Sequence, residues 1–281
     1  MQFRLTHADR VMFAQPPITK RDLLDHYVSV SQRMLPALAG RPISLVRCPS
    51  GLSGSCFFQR RPSPGFGDAV KTAKVGENTV VYIEDLRGLA ALVQMNVIEI
   101  HTWGAKLEDI GRPDQIVLDL DPGEGVAFKR IAAAAKLLRE RLREQKLESF
   151  VRTSGGKGLH VVIPLKPRAD WNEVKAFAHG IAISAAKDHP DEFVAVAGAS
   201  NRKKRIFIDY LRNGLAASSV ASYSVRAREG ARVATPLSWT ELGRVKSAAQ
   251  FNLRDIGALL RKQKHDPWAD FPKLEQLLPR K

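Results

Sequence analysis

The chain has 281 residues, 44% of them hydrophobic and 26% charged, a composition that buries a full core and excludes a disordered or low-complexity protein. Lys and Arg outnumber Asp and Glu by 44 to 29, a formal charge of +15, which attracts a polyanion and makes nucleic acid the first partner to consider, beside the blander reading of a basic protein kept soluble by its charge. The longest apolar stretches fall far short of the ~20 residues that cross a bilayer, and residues 1–10 lack the apolar core of a signal peptide, so no membrane role and a cytoplasmic location are expected.

Taken in chain order, Thr19 and Asp22 have capping-box spacing behind Pro16-Pro17, which predicts a helix running to about Leu38. Ile43 to Arg47 reads as a strand, and Pro49 to Gly67 as a loop that carries Phe57, Phe58, Arg60 and Arg61. Cys48 and Cys56 are the only cysteines. They form no CxxC pair or zinc spacing, and are expected to be reduced and inert. Thr79 to Ile83 predicts a strand, Glu84 to Gln94 a helix and Val97 to Trp103 a strand. Ile116 to Asp121 is an apolar strand ending in acids, followed by a helix over Val126 to Glu144, strands at Phe150 to Thr153 and Leu159 to Leu165, and a helix over Trp171 to Lys187. Arg205 to Tyr210 is a further short strand, and weaker helical patterns cover Ser238 to Lys246 and Leu253 to Lys262. No internal repeat and no linker interrupts the chain, so residues 1–281 are expected to form a single compact, two-lobed unit.

Asp119 and Asp121 lie at i and i+2 of a strand and project from one face. A divalent cation would relieve their repulsion, and hard oxygen ligands suit Mg2+ or Mn2+; the competing reading is a polar Asp-Pro-Gly turn. Asp209 closes another apolar strand and could bring a third carboxylate to the same edge, enough for two ions and phosphoryl transfer, or it could be a structural acid paired with Arg205 or Arg212. Between these acids stands the run Arg152 to His160, a strand, a Gly-Gly-Lys-Gly turn and a second strand. Its glycines let backbone N–H groups approach an anion, and Ser154, Lys157 and His160 suit a triphosphate. Alone, such a turn is more often a plain hairpin than a ligand loop, and it lacks the spacing of a Walker loop. His101 is a plausible ligand, although a lone histidine is usually structural.

Together, Asp119-Leu120-Asp121-Pro122-Gly123, Thr153 to His160 and Ile206-Phe207-Ile208-Asp209-Tyr210 resemble the polymerase domain of bacterial DNA ligase D, of the archaeo-eukaryotic primase superfamily. The likeness runs nearly end to end, through Leu5-Thr6-His7, Ile18-Thr19-Lys20, Cys56-Phe57-Phe58-Gln59, Glu99 to Gly104, Tyr223 to Arg226, Thr235 to Trp239 and Asp266-Pro267-Trp268. The resemblance implies an α/β fold with a primase-type catalytic core of antiparallel or mixed sheets flanked by helices, and a template-directed nucleotidyltransferase using NTP or dNTP. It implies that Asp119, Asp121 and Asp209 bind two Mn2+ or Mg2+ ions, that Ser154, Lys157, His160, His101 and Arg226 hold the nucleotide, and that ribonucleotides are preferred. Phe57 and Phe58 match an aromatic platform for DNA, and Arg202 a basic segment near the template. Lys20 matches a cation for a DNA 5′-phosphate, and Arg10 stands where the family has lysine, keeping the charge with a different donor geometry. Gap filling and end extension in non-homologous end joining, with Ku and a ligase module acting on nucleoid DNA, are implied likewise. A metal-dependent nuclease or phosphodiesterase and a non-catalytic DNA-end-binding module are the alternatives.

Overall fold

Thr19 starts the longest helix, Lys20–Leu38: its hydroxyl accepts from the Asp22 N–H while the Asp22 carboxylate accepts from the Thr19 N–H, satisfying donors that a helix start leaves open. Leu23, Tyr27, Val30, Met34 and Leu38 recur on one face and are buried, each such side chain contributing roughly 1.5–3 kcal/mol. Asp85 caps Leu86–Gln94 and Asp170, with Glu173, caps Trp171–Asp188 by the same chemistry.

The computed structural model describes residues 5–279. The chain divides into two compact units, one formed by Met1–Trp103, Val220–Thr235 and Phe251–Asp266, the other by Gly104–Ser219, Pro236–Gln250 and Pro267–Lys281. In the first, an antiparallel sheet runs in the order Val97–Thr102, Ile43–Arg47, Asn78–Tyr82, Lys71–Val75, with Phe57–Gln59 also paired to Ile43–Arg47. In the second, the order is Phe193–Val194, Ile206–Asp209, Gln115–Pro122, Leu159–Pro164, Phe150–Thr153, Pro236–Leu237; all neighbours are antiparallel except the first pair, which is parallel. The α/β class with antiparallel and mixed sheets flanked by helices is therefore the observed one. The middle strand, Gln115–Pro122, buries Ile116, Val117, Leu118 and Leu120, so this apolar run forms the spine of its sheet.

Three local expectations are corrected. The stretch expected as loop from Pro49 to Gly67 contains the strand Phe57–Gln59, and the strand Lys71–Val75 was not foreseen; both are too polar or too exposed to show a buried alternation. The helix expected from Ser238 to Lys246 shrinks to Trp239–Leu242. The cysteines, expected to be reduced, are joined as a Cys48–Cys56 disulfide with a Cα–Cα distance of 4.3 Å. The register explains this: Arg47 pairs with Phe57, so 48 and 56 are the next opposed positions of the same hairpin. No helix among the described residues is long and apolar enough to cross a membrane.

Candidate active site

Strand register assembles the site of the second unit. Asp209 is paired with Asp119, Asp119 with His160, and His160 with Arg152, so four charged or polar residues form one row across four adjacent strands. Opposed residues share a sheet face, and Asp121, two positions beyond Asp119, shares it too. The sequence brought the three acids to strand ends; the antiparallel pairing brings them together.

His160 is buried and held from both sides. The Arg152 guanidinium donates to its Nδ1 from Nε at 3.2 Å and Nη2 at 3.1 Å, and its Nε2 lies 3.4 Å from Asp119 Oδ1. Because Arg152 can only donate, Nδ1 is an acceptor and the ring proton sits on Nε2, facing the carboxylate. Burial drives Arg152 down to about 10, with Asp119 pulling the other way, and it also reaches the Ser219 hydroxyl at 3.2 Å. Arg152 is thus part of the site, although in the sequence it stands only as the first residue of the glycine motif.

The glycine turn is tied to the same spine. Ser154 Oγ accepts from the N–H groups of Gly156 and Gly158, both at 3.2 Å, so this hydroxyl shapes the turn. Gly155 has φ +65°, and a Cβ at Gly158 would lie 2.2 Å from the Leu120 carbonyl oxygen; only glycine at 158 lets the turn lie against the strand between Asp119 and Asp121. Lys157 at its tip is exposed. Gly123 plays a similar part, since a Cβ there would meet the Arg202 carbonyl oxygen at 1.8 Å.

Arginines face the acids. Arg202, expected near the template, forms an ion pair with Asp121. Arg212 Nε lies 3.0 Å from Asp209 Oδ2 and 3.6 Å from Asp119 Oδ2, so the structural pairing weighed for Asp209 exists, and it involves Asp119 as well. In the sequence Arg212 stands out only as a structural partner of Asp209; its spacing, one 3-10 turn beyond that acid, is the signal that places it at the site. Among the described residues no three His, Cys, Asp or Glu side chains stand together as a ready metal-binding group, because the carboxylates are turned onto these cations. The donor set nonetheless fits hard divalent ions: three carboxylates share a face, and two of them reach one guanidinium nitrogen, a point that a cation could share.

The remaining expected residues belong to the first unit. His101 Nε2 donates to Glu99 Oε2 at 2.8 Å, and Arg226 Nε lies 3.1 Å from Glu99 Oε1, so the two expected nucleotide contacts meet at one carboxylate that sequence reasoning did not single out. Phe57 and Phe58 are 46% and 47% exposed, with the guanidinium of Arg47 over Phe57 at 5.5 Å and that of Arg60 over Phe58 at 5.2 Å. Large exposed rings flanked by cations suit stacking on bases. Phe58 also meets His101 edge-on at 5.7 Å. Arg10 and Lys20 are neighbours, since the Lys20 N–H donates to the Arg10 carbonyl at 2.8 Å. Lys20 is only 1% exposed, its ammonium donates to the Gln94 carbonyl at 2.7 Å, and burial, then the nearby Arg10 charge, lowers its pKa to about 8.

Residues 19–268 match the family model described as LigD, primase-polymerase domain. The chain belongs to that family. LigD primase-polymerase domains are nucleotidyltransferases, so the aspartate row lies in an enzyme of that class. The multifunctional non-homologous end joining protein LigD of Pseudomonas aeruginosa is 40% identical over 273 residues, 95% of this chain and 32% of that protein. The bifunctional non-homologous end joining protein LigD of Bacillus subtilis is 29% identical over 271 residues, 96% of this chain and 44% of that protein. The chain thus spans about a third to under half of the LigD proteins it matches. The polymerase domain of Mycobacterium tuberculosis ligase D, solved in complex with DNA, superposes with a TM-score of 0.88 at 26% identity, covering 98% of this chain and 99% of that one.

Proposed function

We propose that residues 1–281 are one primase-polymerase domain that fills gaps and extends DNA ends by template-directed nucleotide addition in bacterial non-homologous end joining. The observation that carries this reading is the row Asp209, Asp119, His160 and Arg152, with Asp121 beside it and the Ser154–Gly158 turn seated on its spine. In this reading Asp119, Asp121 and Asp209 hold two Mn2+ or Mg2+ ions, which would supply activation of the primer hydroxyl and charge stabilisation at the leaving pyrophosphate. The chain's own residues do the positioning. Arg152 and His160 keep the Asp119 carboxylate oriented, the turn brings N–H groups and Lys157 towards the triphosphate, and His101 and Arg226 complete the nucleotide contacts.

Phe57 and Phe58 would stack on exposed bases, with Arg202 near the template strand, and Arg10 and Lys20 would read a downstream 5′-phosphate beside a helix N-terminus. NTPs and dNTPs are the substrates, with ribonucleotides preferred. The relatives are non-homologous end joining proteins, which supports a role in end joining; in this reading a ligase module acts in cis or in trans and Ku is the end-binding partner, which would place the protein on the nucleoid in the cytoplasm. Incorporation of labelled nucleotides on a gapped duplex, with Mg2+ or Mn2+, tests the proposal: template-directed extension with release of pyrophosphate is expected. Strand cleavage instead would identify a nuclease, and DNA binding without either reaction would identify an end-binding module.

A further inference from the structure

Glu99 is a buried carboxylate whose two oxygens serve different partners. Oε2 accepts from His101 Nε2 at 2.8 Å; Oε1 accepts from the Ala227 N–H at 2.7 Å and lies 3.1 Å from Arg226 Nε. Glu99 and His101 stand two positions apart on the strand Val97–Thr102 and so share a face. Burial acts to raise the Glu99 carboxyl, but the His101 hydrogen bond, the Arg226 charge and the Ala227 N–H outweigh it and bring it to about 2, so the group is ionised at neutral pH.

A buried charge is a costly way to hold two backbone segments together, and here the backbone is already held without it. Tyr27 Oη donates to the Ile98 carbonyl at 2.7 Å and accepts from the Val225 N–H at 3.2 Å, Ser224 Oγ accepts from the Ile100 N–H at 2.9 Å, and the Arg226 N–H donates to the Arg232 carbonyl at 2.7 Å. What Glu99 adds is side-chain orientation. Its carboxylate requires a proton on His101 Nε2, which leaves Nδ1 as the nitrogen the ring presents away from Glu99, and its charge, 3.1 Å from Arg226 Nε, attracts the guanidinium and biases where it settles.

We propose that Glu99 is a positioning residue of the nucleotide pocket, fixing which imidazole nitrogen His101 presents and where the Arg226 guanidinium points. The inference rests on the reading of His101 and Arg226 as nucleotide contacts. The test compares steady-state incorporation on a gapped duplex by the wild type, Glu99→Gln, His101→Ala, Arg226→Ala and the Glu99→Gln/Arg226→Ala double variant. Glu99→Gln raises the nucleotide KM about tenfold or more with a smaller change in kcat. Its DNA affinity stays close to wild type and the variant remains folded at the assay temperature, with a lowered thermal midpoint because Arg226 loses its counter-charge, and the double variant is little worse than Arg226→Ala alone. A wild-type KM in Glu99→Gln, while His101→Ala and Arg226→Ala raise theirs, overturns the role of Glu99; unchanged KM in both of those variants sinks the nucleotide-pocket reading itself, and Glu99 with it. Nitrogen-15 NMR of the wild-type His101 ring supplies a check independent of any variant: a protonated Nε2 is expected, and a ring protonated on Nδ1 alone overturns the proposal.

Discussion

Asp209 stands opposite Asp119 across two antiparallel strands, and the Nε of Arg212 lies 3.0 Å from one and 3.6 Å from the other. Two like charges in register on one face repel each other, and a cation between them offsets that repulsion. Divalent ions held by Asp119, Asp121 and Asp209 in the proposed reaction would take that place, and would leave Arg212 and Arg202 to pair with other anions.

Replacing Asp119 or Asp121 by Ala should therefore remove nucleotide incorporation, by at least about 10²–10³-fold. DNA binding should persist and the protein should still fold, with some loss of stability, because Asp119 is the carboxylate facing His160, Arg152 and Arg212 and Asp121 the partner of Arg202. Extension assays with both metals check this, and near-wild-type extension by either variant would refute the metal assignment.

Gly158→Ala is expected to destabilise the protein by about 1–3 kcal/mol, since the new Cβ would lie 2.2 Å from the Leu120 carbonyl oxygen. It should also slow incorporation, because relief of the clash moves the turn away from the strand that carries Asp119 and Asp121. Gly180 is the matched control: it lies within the helix Trp171–Asp188, and a Cβ there meets nothing within 4 Å. Gly180→Ala should raise stability by about 0.5–1 kcal/mol without affecting incorporation. Thermal denaturation of both variants distinguishes the two effects.

Selectivity for a gap bearing a downstream 5′-phosphate should depend on pH through Lys20. Its pKa is lowered to about 8 by burial and by Arg10, so the cation is present below that value and is lost as pH rises through it. A bound phosphate favours the charged form and moves the loss somewhat higher. A terminal phosphate gains its second charge only above about pH 6. The preference is thus expected to be greatest between about pH 6 and 8 and to decline above, in binding measured at fixed salt on gaps with and without the phosphate. Arg10→Ala/Lys20→Ala should abolish the preference at every pH; a double variant that keeps it would place phosphate recognition elsewhere.

The disulfide makes a separate prediction. Alkylation of unfolded, unreduced protein should find no free thiol, and reduction should expose two, since Cys48 and Cys56 are the only cysteines. Closing so short a loop constrains the unfolded chain by roughly 2–3 kcal/mol. Reduction, or Cys56→Ser, should lower the thermal midpoint accordingly and weaken binding to DNA ends, because the next residues are Phe57 and Phe58. Two thiols found before reduction would overturn the bond.

Much of this protein is legible in its sequence, because the signals concerned are local. The Thr19/Asp22 capping box, the apolar run that ends at Asp119 and Asp121, the helix Leu253–Lys262 and the glycine turn each lie within a short window where hydrogen bonding and side-chain period decide the outcome. The family motifs are local too, so the class of enzyme could be read from them.

Only the tertiary structure decided which of these windows meet. Strand register across some 90 residues sets Asp209 against Asp119, and no pattern in either strand specifies a register with the other. A contact between distant segments gives Glu99, already beside His101 on its own strand, Arg226 as a second partner, while hairpin pairing makes Arg152 the support of His160. It also turns two cysteines that look inert into neighbours on opposed strands. The sequence by itself determined the elements and the kinds of chemistry they carry; the partners of each buried charge were set by sheet pairing, where proximity in space is independent of distance along the chain.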